Sequence, residues 1–210
     1  MNNYITLMGR HVKLNSDLIP RIGAKIRNSV MYIVYCRSFL GGSISSVAEH
    51  ANPTESSDYN ILKWLFSKVD VNKADVIVDV GCGKGRVLLW LINNGYRNKL
   101  IGIELNQMVA AETRKKLVEY KNAAIISGNI LSNIPPDATL FYLYHPFNRN
   151  SMCDFKRQLM LEKKKVTLIY SNSVHIDVFR DDSHWNVAEY AITIPNAGIR
   201  DYKAAIITKV

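Results

Sequence analysis

Cysteine is scarce in this chain. Cys36, Cys82 and Cys153 are odd in number and form no Cys-x-x-Cys pair. That argues against a disulfide scaffold and against a cysteine metal cluster, and it fits a reducing cytoplasm. His175 and His184 have no third metal-binding residue at ligand spacing, so no metal is expected. Long apolar runs are missing near the start, where the longest, Val30 to Cys36, is too short to cross a bilayer. No signal peptide of the usual layout opens the sequence. Repeats and low-complexity tracts are absent. Negative charge is short as well: 27 Lys and Arg face 18 Asp and Glu, a net charge of +9. A basic surface attracts nucleic acid, anionic membrane or acidic ligands, and it serves solubility equally well.

A chain of 210 residues with 48% apolar composition can build one domain, with or without an appendage. Its organising stretch is Val76-Ile77-Val78-Asp79-Val80-Gly81-Cys82-Gly83-Lys84-Gly85-Arg86. A β-branched run of this kind reads as a buried strand. Glycines at alternate positions then break it, and the apolar run Val87 to Ile92 reads as a buried helix. Strand, glycine turn and helix bring a ligand against backbone N–H groups. A dinucleotide fingerprint needs a third glycine where Arg86 stands. A phosphate loop needs Ser or Thr after Lys84, and Gly85 is there. Asp79, one residue before the strand ends, suits a cationic or hydrogen-bonding ligand better than a pyrophosphate. Glu104 closes the next strand, Leu100 to Glu104, 25 residues after Asp79. A carboxylate there can accept hydrogen bonds from both hydroxyls of a ribose.

The Asp-x-Gly-x-Gly-x-Gly run resembles that of the class I S-adenosylmethionine-dependent methyltransferases, in particular small bacterial-type members whose substrates are often unassigned. The resemblance covers Asn52 to Val210. It implies an α/β Rossmann-like fold, a seven-stranded and mostly parallel sheet with a final antiparallel hairpin. The cofactor it implies is S-adenosyl-L-methionine. Residues 1–51 would be an N-terminal helical extension and loop, and residues 52–210 the cofactor-binding domain. Asp79, Gly81, Cys82, Gly83 and Gly85 would hold the amino-acid part of the cofactor, and Glu104 its ribose. Asn129 stands where the family usually has an acid that contacts the adenine amino group, and its side-chain oxygen can accept the same bond. Thr54 and Tyr59 match a lid over the methionine end; the alternative makes Thr54 a cap residue and Tyr59 core.

The remaining elements follow from periodicity. Leu18, Ile22, Ile26 and Val30 give one face of a basic amphipathic helix, expected to pack on the domain and help wall a substrate site, with a membrane or nucleic-acid surface as the alternative. Ile61, Leu62, Leu65, Phe66 and Val69 give a helix before the first strand. Asn106 caps a third helix with Val109, Thr113, Leu117 and Tyr120 inward. Ala123 to Ser127, Ala138 to Tyr144 and Val166 to Tyr170 are strands. Met152, Phe155 and Leu159 mark a helix, and residues 173–182 leave room for a short one. Trp185 to Ile194 and Ala204 to Val210 are the closing pair.

The fourth strand of the domain ends in Tyr144-His145-Pro146-Phe147-Asn148. In methyltransferases this end faces the transferable methyl group. Amino-directed nucleic-acid methylases carry Asn or Asp, Pro, Pro and an aromatic here, to bind and stack a flipped base. This chain has one proline fewer and histidine in place of the amide or carboxylate. Tyr144 and His145 are the catalytic candidates, His145 as a general base near neutral pH. The expected function is methyl transfer to a protein side chain or small molecule. The alternatives are an RNA or other nucleic-acid methyltransferase, or an inactive S-adenosylmethionine-binding protein. Double-stranded DNA is not an expected partner, and acidic surfaces would associate only weakly.

Overall fold

The β-branched segments form the centre of a seven-stranded sheet in a computed structural model, which describes residues 4–7, 10–13, 57–162 and 164–210. Strands β1 (Tyr4–Leu7) and β2 (Arg10–Lys13) pair antiparallel as a separate hairpin. The expected N-terminal helix, the 51/52 boundary and Thr54 lie outside the described residues.

Helix α1 (Tyr59–Phe66) begins at Asp58, whose carboxylate accepts the N–H of Asn60 at 2.7 Å. It buries Tyr59, Ile61, Leu62, Leu65 and Phe66. Then come β3 (Val76–Val80), α2 (Arg86–Asn93), β4 (Lys99–Glu104), α3 (Gln107–Leu117) and β5 (Ala123–Ser127). The chain crosses back to β6 (Leu140–Tyr144), then runs through α4 (Arg149–Leu161), β7 (Thr167–Ser171) and α5 (Asp177–Arg180). The last two strands are β8 (Trp185–Ile194) and β9 (Ile199–Lys209).

The sheet order is β5-β4-β3-β6-β7-β9-β8. Its first five strands are parallel, and β9 pairs antiparallel with both β7 and β8. Strand β9 starts at Ile199, earlier than the expected Ala204, because Ile194 pairs with Ile199 across a short 3-10 turn at Pro195–Ala197. The inner face of α3 is centred on Ala110, Thr113 and Leu117, with Val109 and Tyr120 only half-buried.

Alternation along β3 divides the core. Ile77 packs with α1, α2 and α3 on one face, while Val76, Val78 and Val80 pack with α4 and α5 on the other. Because β3 and β6 are neighbours whose connections leave on opposite faces, the crevice at their carboxyl ends is the topological switch point. Among the described residues no helix is long and apolar enough to cross a membrane.

Candidate active site

The turn after β3 depends on its glycines. Gly81, Gly83 and Gly85 have φ of 74°, 49° and 80°, a region that costs a side chain dearly. Backbone bonds hold the turn to β4: the N–H groups of Gly81 and Cys82 both donate to the carbonyl of Ile103, at 2.9 and 3.0 Å. From α3, the Thr113 hydroxyl donates to the carbonyl of Gly83 at 2.8 Å. Gly85 opens α2 without any side-chain cap, so the helix begins with backbone N–H donors at the turn.

Two carboxylates flank this cradle. Glu104 takes the N–H of Gly83 on Oε2 at 2.9 Å and the N–H of Asn106 on Oε1 at 2.8 Å. Asp79, on the neighbouring strand, is only 3% exposed. Its Oδ2 has no hydrogen-bond partner among the described residues. Burial, and then the charge of Glu104, push its carboxyl up to about 8. A buried carboxyl with an orphan oxygen beside three turn glycines fits a ligand that brings its own cationic donor. Burial also pushes the Cys82 thiol up, and its Sγ packs against β4: a Cβ added at Gly102 would lie 2.7 Å from it.

The other expected cofactor residues are less engaged. Asn129 is exposed and accepts the N–H of Leu131 on Oδ1 at 3.0 Å, capping the 3-10 turn Ile130–Ser132. That oxygen keeps a second lone pair for an adenine amino group. Tyr59 is buried in the core, with the guanidinium of Arg86 5.0 Å above its ring.

At the end of β6, Tyr144, His145 and Pro146 are half-buried, and Pro146 lies 3.8 Å from a Cβ added at Gly81. The turn after β6 therefore abuts the turn after β3. His145 adopts φ 41°. Its ring centroid is 5.1 Å from that of His175, and its Nδ1 is 3.5 Å from the Tyr170 hydroxyl. Burial and the neighbouring His175 hold the His145 imidazole below its ordinary value. Phe147 points the other way, 7% exposed and packed on Phe155 at 5.4 Å between centroids. Asn148 caps α4 through a 2.9 Å bond from the N–H of Ser151.

No family model matches the chain. A Methanopyrus kandleri protein named for ribosomal RNA small subunit methylation is 25% identical over 130 residues, 61% of this chain and 45% of that protein. A protein-lysine N-methyltransferase of Saccharolobus islandicus is 24% identical over 119 residues, 55% of this chain and 73% of that protein. A solved RNA methyltransferase from Salinibacter ruber, in complex with S-adenosyl-L-homocysteine, aligns with a TM-score of 0.57 at 14% identity. That alignment covers 73% of this chain and 92% of the other. The chain has the class I S-adenosylmethionine-dependent methyltransferase fold. It spans less than half the length of the Methanopyrus relative.

Within this methyltransferase fold, two groupings escaped the sequence reading. Arg86 stands where a dinucleotide-binding turn would have glycine. Here it is buried and donates from a guanidinium nitrogen to the carbonyl of Ser57, while the Tyr142 hydroxyl donates to Ser57 Oγ at 2.8 Å. This buried polar knot ties the entry of α1 to the start of α2 and to β6. The second grouping is His175 with Tyr170. The signal for it in the sequence is slight: Tyr170 lies at the carboxyl end of the strand after His145, and His175 a few residues beyond that strand.

Proposed function

We propose that this domain binds S-adenosyl-L-methionine and transfers its methyl group to a protein side chain or a small molecule. The observation that carries the cofactor reading is Asp79, a buried carboxyl with an orphan oxygen, one strand from Glu104 at the mouth of the glycine turn. Asp79 and the turn would receive the amino-acid part, Glu104 the ribose and Asn129 the adenine. Thr54 and Tyr59 remain candidates for the methionine end. The cofactor supplies an activated methyl group on a sulfonium, so the protein need mainly align a nucleophile with it. Calorimetry with S-adenosylmethionine, S-adenosylhomocysteine and NAD tests this. Binding of the first two without NAD is expected, and NAD binding alone would overturn it.

The acceptor reading rests on the turn after β6. In a base methylase its aromatic residue would lie against a flipped base, and its polar residue would hold the base's amino group. Phe147 is instead packed on Phe155, and Asn148 is occupied as a helix cap. Tyr144 and His145, half-buried at the end of β6, are the residues we assign to the acceptor, with His145 as a base for an N–H or O–H nucleophile.

A second reading, RNA, is favoured by the net charge of +9 and by the RNA-directed names of two of the similar proteins. Transfer of labelled methyl groups into fractionated cell extract separates the two. Label in protein or small molecules is expected, and label confined to RNA would replace the first reading with the second. No transfer into any fraction would leave a cofactor-binding protein without activity.

A further inference from the structure

Resting on the methyl-transfer reading, we infer that His175 is a positioning residue of the acceptor site, which holds the His145 ring in place as the base that takes the acceptor's proton. The argument begins with the backbone. Tyr144 and Ser171 pair across β6 and β7, and the next residue of each strand, His145 and Asn172, is left-handed, at φ 41° and 51°. Neither is glycine, and strain of this kind gathers where a site dictates chain direction. After the turn at Asn172 the chain brings the His175 ring to His145, just beyond the end of β6. The N–H of Val174 donates to the carbonyl of Asn172 at 2.8 Å, and Ile176 is buried beneath the turn. The N–H of His175 donates to the Tyr170 hydroxyl at 3.2 Å, which fixes the backbone that carries the second imidazole. The two rings meet at 5.1 Å and 48°.

The groups around His145 decide its protonation. Tyr144 belongs to its own strand. From β7 comes Tyr170, whose phenol burial pushes up to about 12, so it stays neutral and its oxygen can accept. From the returning loop comes His175. Asp177 of α5 lies beyond it, engaged by Arg149 of α4 through bonds of 3.0 and 2.7 Å. A second imidazole, that of His175, stands beside His145. Two adjacent imidazoles resist carrying charge together. The Tyr170 oxygen accepts the N–H of His175, and an Nδ1–H on His145 shared with that same oxygen would leave the His145 lone pair on Nε2.

The step balances on that atom. A new bond forms between the acceptor nitrogen or oxygen and the methyl carbon. The carbon–sulfur bond breaks with its electron pair staying on sulfur. The proton from the acceptor N–H or O–H moves to Nε2 and later to solvent.

The test is a histidine NMR titration of the free protein, which needs neither cofactor nor acceptor. His175→Gln removes the second imidazole and should raise the His145 midpoint toward its ordinary range. His175→Lys restores a fixed positive charge and should keep it low. In active preparations, the acid limb of kcat/KM should follow the same order. An unmoved midpoint in His175→Gln, or equal movement in both variants, overturns the inference. Nitrogen shifts of the unaltered protein give a second check independent of any variant: neutral His145 should carry its proton on Nδ1, and a proton on Nε2 overturns the assignment. If methyl transfer itself fails while the midpoints behave as expected, the reading of function is at fault and the electrostatic pair stands.

Discussion

Glu104 and Gly83 are joined by a 2.9 Å hydrogen bond from the backbone N–H to the carboxylate Oε2, across the turn that the cofactor would occupy. The residue read from sequence as a ribose anchor is therefore also a structural brace. With Asn106 on its other oxygen, it links the turn after β3 to the start of α3. A carboxylate has about four acceptor positions, so two bonds to the backbone leave room for ribose hydroxyls.

Glu104→Ala should lower both cofactor affinity and stability. It leaves the N–H groups of Gly83 and Asn106 without their partner, at about 1–3 kcal/mol for a buried unsatisfied donor. Glu104→Gln keeps one acceptor and should lose less of each. Urea denaturation and calorimetry on the same preparations check this. Unchanged stability in the alanine variant would remove the bracing role, and unchanged affinity would remove the anchor.

Gly102→Ala should destabilise the sheet beneath the turn after β3. The added Cβ would lie 2.7 Å from Cys82 Sγ, 2.7 Å from Ile125 Cδ1 and 2.8 Å from Leu88 Cδ1. Such overpacking typically costs about 1–3 kcal/mol. Because Cys82 belongs to the turn, the strain should also weaken cofactor binding. A denaturation midpoint equal to that of the unaltered protein would mean that the turn yields freely.

Much of this architecture was legible because β-strand and helix periods were strong. The run Val76 to Val80 announced a strand buried on both faces, and Asn106 announced a cap, which it is. The glycine spacing marked the turn after β3, since a chain reversal needs positive φ at fixed positions. What was hidden depends on pairings between distant segments. Nothing local to Arg86 reveals that its partner is the carbonyl of Ser57, and nothing local to His175 reveals a neighbour 30 residues upstream. The aromatic of the turn after β6 was legible as a residue, but its direction, into the core against Phe155, is a packing outcome.

Arg86→Met should loosen the entry of α1. It removes the donor to the Ser57 carbonyl and the cation above Tyr59, and a buried carbonyl left without its partner costs about 1–3 kcal/mol. Arg86→Lys should not restore the loss, because an ammonium cannot reproduce a planar fork that bonds a carbonyl while stacking on a ring. Hydrogen exchange across residues 57–66 reads the effect locally. Protection there equal to that of the unaltered protein in both variants would show that α1 is held by its apolar face alone.

Asp79 should make cofactor binding and stability depend on pH in opposite directions. Its carboxyl is pushed up to about 8 in the folded protein, chiefly by burial, against an ordinary value of 3.8. Between those values the folded protein holds a proton that the unfolded chain has lost. The Asp79 contribution to stability is therefore full below about pH 4 and declines as pH rises to 8. The decline is at most about 1.4 kcal/mol per pH unit. Asp79→Asn should flatten this slope, and at pH 8 it should be more stable than the unaltered protein. Binding runs the other way, because a ligand ammonium beside Asp79 favours the ionised carboxylate. At pH 7 the site must release a proton as the ligand enters, so affinity for S-adenosylhomocysteine should rise from pH 6 toward pH 8. Calorimetry in buffers of different ionisation enthalpy counts that proton. The Asp79→Asn variant provides the subtraction for the ligand's own amine. Proton release that is the same in both proteins would mean that the orphan oxygen of Asp79 does not meet the ligand's ammonium.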